Sequence, residues 1–115
     1  MAAGPAKFVH EGESIDYTPG ADVLTGAVVV QAELVGVAQG PIKANQLGSL
    51  AVSGVFDFPK ALGAGSALPA GSNAYWDAGA QNATKNAAAG ANKLIGKTVK
   101  TTVDADTTVR IRLLQ

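Results

Sequence analysis

Leu94-Ile-Gly-Lys-Thr-Val-Lys-Thr-Thr-Val103, Asp104-Ala-Asp106 and Thr107-Thr-Val-Arg-Ile-Arg-Leu113 follow one another near the C-terminal end, and their reading decides the fold class. In the last segment Val109, Ile111 and Leu113 alternate with Arg110 and Arg112, so a two-residue period puts the apolar side chains on one face and the guanidinium groups on the other. The segment before it is rich in β-branched residues, which suit a pleated sheet better than a helix. Asp104-Ala105-Asp106 between them has turn chemistry, because an Asp side chain accepts hydrogen bonds from nearby backbone N–H groups. The three segments together predict a β-hairpin.

The same pattern extends towards the N-terminus. Asn73 to Asp77, with Tyr75 beside the single Trp76, reads as a strand with one aromatic facing the core. Gly48 to Phe58 reads as a long extended segment with Leu50, Val52 and one of Phe56 or Phe58 inward, a bend at Gly54 where the inward face changes, and Pro59 as its stop. Val28-Val29-Val30 predicts a strand covered on both faces. Leu34 to Ala38 predicts another, with a bulge or tight bend at Gly36. Ser14 to Thr18 is a short strand ended by Pro19-Gly20. Ala61 to Ser72 is a loop of small residues. Ala78 to Asn92 is Ala-rich but has no larger apolar side chain to pack a helix, so a loop with one short strand is expected. Nothing repeats at a fixed period. The fold class is all-β, a small β-barrel or β-sandwich-like domain with long loops: a single domain over residues 8–115, preceded by a flexible N-terminal arm over residues 1–7.

Composition narrows the function. In 115 residues, 9 Lys and Arg balance 9 Asp and Glu, which removes the clustered cationic excess of a nucleic-acid binder. No Cys and one His leave no thiolate metal site and little imidazole chemistry. No apolar run approaches the ~20 residues of a membrane helix, and the N-terminus lacks the pattern of a signal peptide, so a soluble, unprocessed cytosolic product is expected. The hydrophobic fraction is 47%, but 22 of those residues are Ala and 12 are Val, so the core must be thin. Charged residues make up only 16%. A thin core under a weakly charged exterior implies that a partner covers part of that exterior, and self-association is the first expectation.

Several constellations invite a chemical reading. Ala91 to Thr98 fits a relaxed phosphate-loop pattern, but the residues after Thr98 are strand-like where the chemistry needs a helix N-terminus. Two carboxylates at Asp104 and Asp106 fall short of the six or more oxygens calcium requires. His10 with Glu11, Glu13 and Asp16 forms a polar cluster without the second His of a usual zinc site. No Gly-x-Ser-x-Gly elbow occurs, so a catalytic triad is not expected. Arg110 and Arg112 form a solvated strand face or an intersubunit salt bridge. Tyr75 and Trp76 leave a second class open, a ligand- or carbohydrate-binding module with an aromatic platform.

The order of Phe8-Val9, Ile15-Asp16-Tyr17-Thr18, Gly26-Ala-Val-Val-Val30, Leu34-Val-Gly-Val-Ala38, Gly54-Val-Phe-Asp-Phe-Pro-Lys60, Ala74-Tyr-Trp-Asp77, Leu94-Ile-Gly96 and Val109-Arg-Ile-Arg-Leu113 resembles the capsid cement, or decoration, proteins of tailed bacteriophages. The likeness covers nearly the whole chain. It implies a small β-rich homotrimer on the outer surface of the expanded head, bridging neighbouring major capsid subunits at three-fold and quasi-three-fold positions, with no catalytic residue, cofactor or metal. Members of the family have also carried a recombinase label, which the balanced charge and the failed phosphate loop of this chain do not favour. The residues expected to touch capsid or a neighbouring subunit are Lys7, Phe8, Val9, Pro59, Lys60, Arg110 and Arg112. Phe8 is the expected apolar anchor of the arm. The partners implied are the major capsid protein and other copies of this chain, with no nucleic acid and no membrane.

Overall fold

A computed structural model describes residues 4–113, so residues 1–3 of the expected arm lie outside the described residues. Nine strands form two antiparallel sheets, and among the described residues the only helical turn is a 3-10 turn at Ala88–Gly90. The first sheet contains β1 (Ser14–Tyr17), β2 (Val28–Gln31), β3 (Leu34–Ala38) and β4 (Gly48–Ala51), in the order β1-β4-β3-β2. The second contains β5 (Gly54–Pro59), β6 (Asn73–Asp77), β7 (Asn82–Thr84), β8 (Lys93–Thr98) and β9 (Thr108–Leu113), in the order β5-β9-β8-β6-β7. The sheets do not close into a barrel. The edges of the second sheet meet only at one bridge, Lys60 to Ala83, and the architecture is sandwich-like.

Period-two patterning explains how the layers meet. Val28 and Val30 turn with Val35 and Val37 towards the second sheet, while Val29 turns the other way, so the valine triplet is divided between two cores. The larger core gathers Phe58, Leu68, Trp76, Ile95, Val109, Ile111 and Leu113. Phe58 sits between Phe56, edge-on to it, and Trp76, tilted against it, with ring centroids 6.3 and 6.1 Å away, within the range of favourable aromatic pairs. The smaller core, on the opposite face of the first sheet, joins Ala38, Ile42 and Leu50 to Ile15, Tyr17, Val23 and Val29. Gly54, at φ 106°, is where the chain leaves the first sheet for the second, so the one long strand expected over Gly48 to Phe58 is two, β4 and β5, in different sheets.

Two further expectations are corrected. Gly36 is neither a bulge nor a bend. It pairs regularly with Val29, and its lack of a Cβ makes room for Leu50, whose own Cβ would stand 3.1 Å from the missing atom. The strand after Leu94 stops at Thr98 rather than Val103, because the chain turns aside to clamp the 61–72 loop. There Thr102 accepts the N–H of Leu68 at 2.9 Å through its hydroxyl and donates its own N–H to the Leu68 carbonyl at 2.9 Å, holding Leu68 in the larger core. The register shift opposite Ala74 and Tyr75 falls at Ile95, which the bulge directs inward. The 78–92 stretch contains the one short strand expected, β7.

Candidate functional site

The N-terminal segment and the outer face of the second sheet carry most of the contact residues expected from the sequence. Residues 4–13 belong to no strand and are exposed, Lys7 among them. Phe8 and Val9 are 79% and 82% exposed, an apolar pair with no packing partner in the chain's own core. Directly after them, Glu11, Glu13 and Asp16 line an open concavity with His10. The His10 ring nitrogen accepts the N–H of Gly12 at 3.0 Å, a local turn contact. Among the described residues no group of three or more His, Cys, Asp or Glu is placed to hold a metal ion.

On the second sheet, strand alternation that buries Phe58, Val109 and Ile111 sends Val55, Asp57, Pro59, Arg110 and Arg112 outward. Two rungs of this face are informative. Asp57 stands opposite Arg110, and the guanidinium grips both carboxylate oxygens, at 2.9 and 3.2 Å. The hydrogen bond from Arg110 holds the Asp57 carboxyl below the usual carboxylate range, with the charges of Arg110 and Lys100 adding to it. On the next rung Arg112 stands between Val55 and Lys97. Lys97 donates to the side-chain oxygen of Asn73, a neutral partner. Sequence reasoning missed Lys97 as a neighbour of Arg112, although the rule that opposite residues share a face would have found it. Lys97 and Arg112 are both polar, whereas slipping the hairpin by one residue sets Lys97 against buried Leu113.

The other expected contact residues divide. Pro59 is exposed at the end of β5. Lys60 is only 4% exposed. Its ammonium donates to the Ala61 carbonyl at 2.8 Å, the Ser66 hydroxyl at 3.0 Å and the Asp104 carbonyl at 3.2 Å, tying the 61–72 loop to the β8–β9 connection. The Asp104 carboxylate accepts the N–H groups of Ala67 at 2.8 Å and Gly65 at 3.2 Å, and these hold its pKa below the ordinary value. Asp106 accepts the N–H of Val103 at 2.9 Å. Both carboxylates therefore do turn and loop work.

Two chemical readings lose their footing. Lys97 and Thr98 lie inside β8 with no helix after them, so no phosphate loop forms. Trp76 is 2% exposed in the larger core and offers no stacking face to a sugar. No helix among the described residues is long and apolar enough to cross a membrane.

What remains is a small two-sheet protein whose notable features are surfaces. The family model for phage cement proteins matches residues 9–113, and the chain belongs to that family. It is a structural family of the phage capsid rather than an enzyme family, and membership associates this protein with the capsid of the virion. No curated protein and no solved structure matches the chain.

Proposed function

We propose that the protein binds the outer surface of the expanded phage head as a homotrimer and cements neighbouring major capsid subunits at three-fold and quasi-three-fold positions. The observation that carries this reading is the match over residues 9–113, to which the bare Phe8-Val9 pair gives a physical route. Residues 1–7 act as an arm and the rest as one domain. Lys7, Phe8 and Val9 enter a site on the shell, and Phe8 contributes about 2 kcal/mol of apolar burial there. Three such arms on one trimer raise the effective concentration of each, so individually modest contacts suffice. Pro59 and Arg112 contact a neighbour from the sheet face, with Arg110 positioned by Asp57 beside them. Lys60 supports the fold from within. A weakly charged exterior suits this role, because few ions must be stripped of water when the surface is covered.

The test is cosedimentation with expanded, undecorated heads. Saturation near one trimer per local three-fold position is the expected result, and failure to bind cognate heads overturns the reading.

A further inference from the structure

Resting on the cement reading, we infer that the outer face of the second sheet is an intersubunit surface on which Lys97 and Arg112 receive the acidic N-terminal edge, Glu11, Glu13 and Asp16, of a second copy. Lys97 and Arg112 are register partners on adjacent strands. Like charges placed opposite one another destabilise a sheet unless something neutralises them. Among the described residues nothing does so: their ion pairs are Lys93 with Glu33 and Arg110 with Asp57, and neither involves this rung. The arrangement calls for carboxylates from outside.

The chain itself carries the complement. Of its carboxylates, Asp57 and Glu33 are in ion pairs, and Asp22, Asp77, Asp104 and Asp106 accept backbone N–H groups. Glu11, Glu13 and Asp16 have no such partner, and all three are exposed within six residues of sequence. They cannot readily serve the rung of their own chain. They lie on or before β1, the far edge of the first sheet, separated by β4 from β3, the strand that packs on β8. The two patches therefore differ in identity and place, which is the requirement for a head-to-tail contact that closes into a ring.

Magnitudes set the role of the charges. Exposed ion pairs give about 0.2–1 kcal/mol each and are screened by salt, so the several pairs of a ring add to its affinity together while fixing its register. Exposed Val55, beside Arg112, supplies apolar area on the same face.

The experiment measures solution mass by light scattering for the wild type, K97E/R112E, and the four-fold variant K97E/R112E/E11K/E13K, with head cosedimentation of the wild type in parallel. All these positions are exposed, and a urea midpoint verifies that each variant is folded. The expected result is a wild-type oligomer that dissociates with rising salt, a monomeric double reversal and an oligomeric four-fold variant. A double reversal that keeps the wild-type mass, a folded four-fold variant that stays monomeric, or a wild type that is monomeric at every concentration overturns the inference. Failure of the wild type to bind heads instead overturns the cement reading, whatever the masses.

Discussion

Arg110 reaches across the β5–β9 ladder to Asp57, its direct register partner, and binds both oxygens of the carboxylate. A forked contact of this kind fixes a guanidinium in orientation as well as position. Its electrostatic consequence runs through acid. The folded-state pKa of Asp57 is depressed, so its contribution to stability is present above the unfolded carboxylate pKa and is lost as pH falls through the folded value. Asp57→Asn should lower the urea midpoint at neutral pH, and the two proteins should converge in strong acid. Parallel pH profiles would show that the pair adds nothing to folding.

Lys60 makes its three hydrogen bonds from a nearly inaccessible position. Lys60→Met keeps much of the stem and removes the ammonium, leaving two carbonyls and a hydroxyl to find other donors. The expected cost is about 2–3 kcal/mol in urea unfolding. A loss under about 0.5 kcal/mol, the range of an ordinary surface change, would mean that water replaces the ammonium at little cost.

Gly48 faces Ile42 in the smaller core, and a Cβ there would stand 2.5 Å from that side chain. Gly48→Ala should destabilise by about 1–3 kcal/mol through overpacking. Adding Ile42→Val should recover part of the loss, since it removes one of the crowding methyl groups. Additive losses in the double variant would place the cost in the backbone instead.

Phe8→Ala separates binding from folding. Phe8 touches neither core, so the melting temperature should stay unchanged within the roughly 0.5 kcal/mol of a surface substitution. Head affinity should fall about 30-fold for each arm engaged, the equivalent of about 2 kcal/mol. Unchanged occupancy in cosedimentation would remove Phe8 as an anchor.

Ala32 occupies the first position of the two-residue turn between β2 and β3 at φ 52°, where a type II′ hairpin favours glycine. Ala32→Gly should stabilise by about 0.5–1 kcal/mol, the strain relieved less the entropy added to the unfolded chain. A lower urea midpoint would assign the larger share to entropy.

Features repeated every two residues were legible from the sequence. Val109, Ile111 and Leu113 announced a buried face, and the valine triplet announced two covered faces. Features that depend on where distant segments meet were hidden. Gly36 suggested irregularity because its real constraint, Leu50, lies on another strand. Lys60 was expected at a contact surface because nothing nearby in sequence identifies Asp104 as a partner. Leu68 sat unnoticed among small residues, since only the fold brings Thr102 to its backbone. On the proposed contact surface, Arg110 and Arg112 were visible by alternation. The neutralised state of one and the unpaired state of the other required Asp57 and Lys97 to be in register.

The change of sheet at Gly54 divides the chain cleanly in time as well as in space. Every strand of the first sheet lies within residues 14–51, so its ladder waits for nothing made later on the ribosome. Only Val28, Val30, Val35 and Val37 remain uncovered until the second sheet arrives. Because synthesis delivers the N-terminal half first, a nascent chain can present these valines as a ready template on which β8 and its neighbours condense.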